Sequence, residues 1–389
     1  MAELKPFTVA VDDAVLADLQ QRLKLVRWPG EPDDAAWQYG ANLGYMKQLV
    51  AYWRDDFDWR RQEMAINRFQ HFTAPISSDD NAQLDVHFIR EDGSGDSPLP
   101  LLLLHGWPGS IAEFLDVIEP LAHPERFGGD IADAFTVIAP SLPGYGFSGA
   151  PARPIGTKAM AGICARLMTD VLGFEDYVVQ GGDWGSIVAT RIAVNFPDRL
   201  KAIHLNMAPI RPHIGPQDPE LTAREEEWIK AARKMRARET AYQDVHATKS
   251  QTLAYGLTDS PVALAAWIAE KFHGWTDPKA DSPLFTFDQL LTNIMIYWAT
   301  GSINTSMWLY RGLRDERGAV LAAGESVVQP LGFCLPPYDL VPPPPESWLN
   351  RIGNVQSITM LEDGGHFTAL QKGPELIEDM RRFFRTHAR

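Results

Sequence analysis

Val178-Val179-Gln180-Gly181-Gly182-Asp183-Trp184-Gly185-Ser186 is the stretch on which the fold of this chain turns. A short apolar strand, Tyr177 to Val179, runs into Gly-Gly-Asp-Trp-Gly. A helix-like pattern follows through Ile187, Ala189, Ile192, Ala193 and Phe196. Strand, tight turn and helix form the context of a nucleophile elbow, G-x-(nucleophile)-x-G. Glycine at 181 and 185 fits, because a Cβ two positions either side of the central residue would strike the flanking backbone. The central residue is Asp183, where an esterase or lipase would carry Ser. A carboxylate, with a reference pKa of about 3.9, needs no base to ionise it at neutral pH. It attacks carboxylic esters poorly. It suits displacement at a saturated carbon bearing a strained or good leaving group, which makes an alkyl ester of the protein that water must cleave. The plainer reading is that Asp183 only caps the following helix.

Working outward, 389 residues suggest about two domains, or one domain with large insertions. Hydrophobic residues at 45% and charged ones at 22% describe a globular protein in water. A net charge of −14 argues against nucleic acid or an anionic membrane as partner. Cys164 and Cys334 lie in apolar runs and read as buried thiols, with neither a disulfide framework nor zinc spacing. The start lacks a signal-peptide pattern and no apolar run reaches the ~18 residues of a membrane span, so a cytoplasmic location is expected.

Residues 1 to about 66 read as helical and aromatic. Asp12 or Asp13 caps one helix that stops at Trp28-Pro29-Gly30, and a second starts near Gly44. The density of Trp and Tyr between Trp37 and Trp59 suggests a segment that packs against another surface. Strands are then expected at 68–72 and 84–90 around a hairpin signal, Ser77-Ser78-Asp79-Asp80-Asn81. Leu99 to Leu104, Phe135 to Ala139, Tyr177 to Val179 and Ala202 to Leu205 read as parallel strands. Helices at 111–121 and 158–172 alternate with them, which means a doubly wound α/β sheet. Amphipathic stretches at 222–236, 261–272, 287–300 and 303–312 read as a helical lid. Strands at 327–335 and 355–361 and a helix at 374–384 complete the core. The expected divisions are 1–95 for the meander and first strands, 96–210 for the first part of the core, 211–321 for the lid and 322–389 for the rest.

An elbow nucleophile needs an acid and then a histidine later in the chain. Of ten histidines, His366 in Glu362-Asp363-Gly364-Gly365-His366-Phe367 follows a strand on a loop that two glycines free to reach over the sheet edge. Asp339, in Pro336-Pro337-Tyr338-Asp339-Leu340, fits as the acid, with Glu346 and Asp363 as competitors. His366 would then activate water, since Asp183 is already charged. Water attack on the ester creates an oxyanion. The N–H of Trp184, after the nucleophile, and that of Trp107, in His105-Gly106-Trp107-Pro108-Gly109, are its natural donors. A cis Trp107-Pro108 bond suits so tight a turn, and His105 reads as a structural hydrogen-bonding group. Gly144-Tyr-Gly146-Phe-Ser-Gly149 matches a dinucleotide fingerprint, but Pro151, Pro154 and Gly156 follow, so no helix opens to receive a pyrophosphate. No metal spacing is found and no cofactor is expected.

Over nearly the whole chain these residues resemble the microsomal-type epoxide hydrolases of the α/β-hydrolase superfamily. The aromatic N-terminal segment looks like that family's N-terminal meander. His105-Gly-Trp-Pro-Gly-Ser110, Gly181-Gly-Asp-Trp-Gly185 and Gly364-Gly-His-Phe367 look like its motifs. The resemblance implies an α/β-hydrolase fold with an inserted helical lid, and conversion of an epoxide and water to a vicinal diol through an aspartyl ester. It also implies two lid tyrosines that bind and protonate the oxirane oxygen. Tyr310, in Thr305-Ser-Met-Trp-Leu-Tyr310, and Tyr242, in Glu239-Thr-Ala-Tyr242, match them, with Tyr255 and Tyr297 as competitors. Microsomal relatives carry an N-terminal membrane anchor that is not seen here, so a soluble form is expected. Their acid is often Glu, where Asp339 stands here. The expected partners are a small epoxide and, as an assembly, a homodimer. Two rivals stay open: a haloalkane dehalogenase, which shares the Asp-Trp elbow but has no use for paired tyrosines, and a ligand-binding relative without catalysis.

Overall fold

The computed structural model describes residues 4–77, 83–277 and 285–389. A three-residue strand, β1 (Lys5–Phe7), precedes three helices, α1 (Asp13–Lys24), α2 (Leu43–Asp55) and α3 (Trp59–Ile66). Each helix starts where a short polar side chain accepts a backbone N–H: Asp12 from Ala14, Asn42 from Tyr45, Asp58 from Arg61. Strands β2 (Gln70–Ser77) and β3 (Gln83–Glu91) pair antiparallel, and residues 78–81 of the hairpin signal between them lie outside the described residues. The strand expected at 68–72 begins at Gln70 and continues through Pro75. Proline is tolerated there because, among the described residues, β1 pairs only with His71 to Thr73.

The apolar runs form the middle of one nine-stranded sheet: β4 (Leu99–Leu104), β5 (Phe135–Pro140), β6 (Tyr177–Gly181), β7 (Leu200–Leu205), β8 (Val327–Leu335) and β9 (Gly353–Met360). The order is β1-β2-β3-β5-β4-β6-β7-β8-β9, parallel from β5 to β9. From β4 the chain goes one way to β5 and the other way to β6. The carboxyl ends of β4 and β6 therefore flank a switch point, where open α/β sheets bind ligands. Leu101 to Leu104 and all of β6 are buried, as expected of strands covered on both faces.

Three helical expectations change. The stretch 111–121 is a single tight turn, 111–114, followed by α4 (Ile118–Ala122). Pro120 has no N–H to give the Asp116 carbonyl, so one helix cannot run through that point. The stretch 158–172 is α5 (Thr157–Arg166) continued by a wider turn to Val171. Helix α5 starts eight residues past Gly149, so the glycine-rich fingerprint lacks its helix. Helix α6 (Asp183–Asn195) follows the elbow.

The lid comprises α7 (Ala223–Glu239), α8 (Ala241–Asp259), α9 (Pro261–Gly274), α10 (Phe287–Thr300), α11 (Ile303–Ser306) and α12 (Trp308–Glu316). The last two were expected as one helix over 303–312; the chain tightens to a three-residue turn at Met307. Helix α8 has no counterpart in the sequence reading. Lys249 is non-helical (φ −138°, ψ 33°), and the apolar pattern is blurred because polar His246 is buried on the inner face while Val245 and Tyr255 are exposed. The N-terminal aromatics pack where a surface was expected, and that surface is the lid: Tyr52 Oη donates to Asp288 at 2.8 Å and Trp37 stacks on His273. Helices α13 (Glu346–Asn350), α14 (Thr368–Gln371) and α15 (Gly373–His387) complete the chain. Among the described residues no helix is long and apolar enough to cross a membrane.

At the elbow, a Cβ on Gly181 would lie 2.4 Å from the Gly185 carbonyl, and one on Gly185 would lie 2.0 Å from the Leu104 carbonyl oxygen. Gly185→Ala is therefore expected to lower stability to urea by about 2 kcal/mol or more. Gly30→Ala, where nothing lies within 4 Å, serves as the near-neutral control. Equal midpoints for the two variants would contradict this account of the turn.

Candidate active site

Asp183 has φ +45°, a left-handed conformation that costs a non-glycine residue about 1–3 kcal/mol and gathers at functional sites. That twist lifts its side chain over the carboxyl end of β6 toward the turn that follows β4. There the Trp107 N–H donates to Asp183 Oδ1 at 2.8 Å, and the Trp184 N–H also bonds the carboxylate. Gly106 must be glycine because its Cβ would lie 2.2 Å from that oxygen. The Trp107-Pro108 bond is cis. His105 turns away from the chemistry: its Nε2 accepts the Leu142 N–H at 3.1 Å, and burial lowers its pKa to about 4.

The two loops that carry Asp339 and His366 are joined before their side chains meet. Tyr338 pairs with Gly365, and its N–H donates to the Gly364 carbonyl. His366 Nδ1 then bonds Asp339 Oδ1 at 2.6 Å, while His366 Nε2 faces Asp183 Oδ2 at 3.5 Å. A Cβ on Gly365 would lie 2.5 Å from the Trp275 carbonyl, the group that accepts the His366 N–H. The histidine loop is thus fastened to the end of α9 in the lid. Of the competing acids, Glu346 sits at the start of α13, and Asp363 is largely exposed beside Lys372.

Tyr242 and Tyr310 converge on the same space from α8 and α12. Their hydroxyls hydrogen-bond each other, and their rings lie 5.0 Å from Trp107 and 4.6 Å from Trp184 respectively. Burial raises the pKa of both phenols, so both stay protonated at neutral pH. Tyr255 is 72% exposed. Tyr297 is buried and donates to the Gly109 carbonyl at 2.6 Å, while Asn293 donates to the Pro108 carbonyl at 2.7 Å. Helix α10 therefore holds the 105–109 turn in shape.

Glu113 was not foreseen. It shares with His105, Gly106, Asp183 and His366 a cavity of about 10 Å³, close to the space of one water. A Cβ on Gly109 would lie 1.6 Å from its carboxyl, so the second glycine of the turn is there to admit Glu113. Burial pushes this carboxyl up to about 8, so at neutral pH it is chiefly protonated. The sequence did hold a signal: one acid among Ile111, Ala112 and Phe114, directly behind the Gly106–Ser110 turn.

Burial alone would lower the pKa of His366. Asp339, then Asp183 and Glu113, outweigh it and raise the pKa to about 9. Burial raises the Asp183 carboxyl, against the pull of His366 and the two backbone N–H groups. The resting arrangement is an anion facing an imidazolium, with two phenols across an aromatic-walled cavity. Such a set can attack an electrophilic carbon from one side and donate a proton to its leaving oxygen from the other. Among the described residues no group of three or more His, Cys, Asp or Glu could hold a metal ion.

Known proteins resemble this chain over nearly its whole length. Residues 4–114 match the family described as epoxide hydrolase N terminus, and residues 100–302 match the alpha/beta hydrolase fold. The chain is 36% identical to epoxide hydrolase 1 of Sus scrofa, covering 98% of this chain and 88% of that protein. The structure of Aspergillus niger epoxide hydrolase superposes with a TM-score of 0.84 at 31% identity, covering 99% of this chain and 97% of that one. That of juvenile hormone epoxide hydrolase from the silkworm Bombyx mori gives 0.82 at 30%, covering 99% and 94%. With its N-terminal segment, its sheet and its near full-length likeness to these proteins accounted for, the chain belongs to the epoxide hydrolases of the α/β hydrolase fold.

Proposed function

We propose that this epoxide hydrolase works in two steps, with Asp183 as nucleophile, and that the observation carrying the reading is the position of its carboxylate. One oxygen of Asp183 is held by the Trp107 N–H, and the other faces His366 Nε2. In the first step Asp183 Oδ2 attacks an oxirane carbon and the C–O bond of the ring breaks. The developing alkoxide takes a proton from Tyr310, which Tyr242 supports by their shared hydrogen bond.

In the second step the oxygen held by the Trp107 N–H has become the ester carbonyl, and the N–H groups of Trp107 and Trp184 stabilise the oxyanion. The His366 imidazolium first returns its proton to the Tyr310 phenolate; the neutral imidazole, oriented by Asp339 at Nδ1, then takes a proton from a water seated in the small cavity beside Glu113. The hydroxide adds to the carbonyl carbon, the bond to Oδ2 breaks, and the diol leaves with that oxygen. The leaving oxygen takes the proton of the new Asp183 carboxyl group, so Asp183 returns as a carboxylate and His366 as the imidazolium it was at rest. Glu113, protonated, holds the water by hydrogen bonding without placing a third negative charge beside Asp183.

Esterification removes one of the charges that raise the His366 pKa, so the imidazolium gives up its proton more readily when a base is needed. The sign follows from the partners: losing an anion from beside a cation lowers its pKa. In Asp183→Asn, which has the charge of the ester, the His366 imidazole observed by NMR should titrate about one unit or more below its wild-type midpoint. An unchanged or higher midpoint would contradict the coupling. Tyr310→Phe should reduce kcat for epoxides by about 10²-fold or more. If the enzyme instead turned over alkyl halides and never epoxides, and the substitution left that rate intact, the dehalogenase reading would prevail.

A further inference from the structure

The cavity above Asp183 is lined by two arginines that no described residue neutralises. Arg211 stands where the chain leaves β7 for the lid. Its backbone is tied on both sides: its N–H donates to the Ala319 carbonyl and its carbonyl accepts the Leu321 N–H, each at 2.9 Å. Arg236 is half-buried in the last turn of α7. Both line the cavity of about 140 Å³ that contains Asp183 and Tyr310. Both also line an adjoining cavity of about 280 Å³ walled by Ile214, Trp228, Ala232 and Trp348. The pair therefore stands at the wall common to an inner, reactive space and an outer one.

Among the described residues neither guanidinium makes a side-chain hydrogen bond or an ion pair, and Asp183 is the only acidic residue lining either cavity. Arg211 is exposed at the cavity wall and Arg236 half-buried, and they differ from two more enclosed arginines of this acidic chain that have acidic partners. Arg191 meets Glu325 at 2.9 Å, and Arg351 meets Glu225 at 2.8 Å. Arg236 has burial against it and, as its one charged influence, the like charge of Arg211; both lower its pKa. A cation at the end of α7 complements the helix dipole. The dipole does not account for a second arginine brought beside it from another part of the chain. Two like charges held together without a counterion are stabilised when an anion enters between them.

We propose that Arg211 and Arg236 form an anion-binding subsite, and that the substrate class is an apolar epoxide bearing a carboxylate, held there while its oxirane meets Asp183. The remaining walls, Ile187, Met207, Leu313, Leu340 and Val341, suit an aliphatic connecting chain. A carboxylate fits the planar guanidinium fork, and with one charge it costs less to desolvate than a phosphate ester. The assignment rests on the reading of Asp183 and the two tyrosines as the reacting groups.

The test compares terminal-epoxy fatty acids with their methyl esters, with wild type and the Arg211→Gln/Arg236→Gln double variant. For wild type, kcat/KM for the acid should exceed that for the ester by about 10-fold or more, and the advantage should shrink as salt rises. In the double variant the acid-to-ester ratio should fall to about one. Equal rates on acid and ester in wild type, or a ratio unaltered in the variant, would overturn the subsite and leave the epoxide chemistry standing. Calorimetric titration with decanoate, against 1-decanol, separates the two failures, because it needs no turnover. Should no epoxide react, decanoate binding that is lost in the double variant would uphold the subsite while the mechanism falls. Binding indifferent to charge would overturn the subsite as well.

Discussion

A carboxylate held in a strained turn, with two backbone N–H groups aimed at it, is the constraint on which the rest of the structure depends. Asp183 can stand at φ +45° only because Gly181 and Gly185 let β6 and α6 approach each other and Leu104. It can reach the Trp107 N–H only because Gly106 leaves room for its oxygen. Gly109 in turn makes room for Glu113. Each glycine answers to a particular atom: a backbone carbonyl for Gly181 and Gly185, the Asp183 carboxylate for Gly106 and the Glu113 carboxyl for Gly109.

The remaining architecture brings three distant loops and two lid helices to that carboxylate. Pairing of Tyr338 with Gly365 aligns the backbones from which Asp339 and His366 meet. The lid is coupled directly to both reacting sides of the site. Its α9 end binds the His366 backbone, and Asn293 and Tyr297 of α10 grip the turn that carries Trp107. The N-terminal helices fasten the lid from outside through Tyr52 to Asp288 and Trp37 to His273. A lid so anchored keeps the two phenols buried, and burial keeps both protonated at neutral pH.

What the sequence made legible was what has a steric or covalent reason to occur at fixed spacing. The parallel strands appeared as unbroken apolar runs because both their faces are covered. Asp339 and His366 could be found from chain order, and Tyr242 and Tyr310 from family resemblance. Helix α8 is masked in the sequence because it buries polar His246 and exposes apolar Val245 and Tyr255. The turn at 111–114 was mistaken for part of a long helix because Pro120 was not weighed against the Asp116 carbonyl. Glu113 was passed over because its environment is created by tertiary contacts with Gly106 and Gly109. Arg211 and Arg236 are far apart in sequence, and α7 is rich in exposed charge. Only the folded chain brings them to one cavity.

The central claim is that the Asp183 carboxylate becomes esterified by the substrate and is released by water that His366 activates. It is tested most directly by mass spectrometry of a His366→Gln variant, in which the first step proceeds and the second is stalled, after saturation with a reactive epoxide. The account predicts one added substrate mass on the peptide containing Asp183, absent when Asp183→Ala is combined with the same variant. An unmodified peptide, or the same adduct in the double variant, would contradict it.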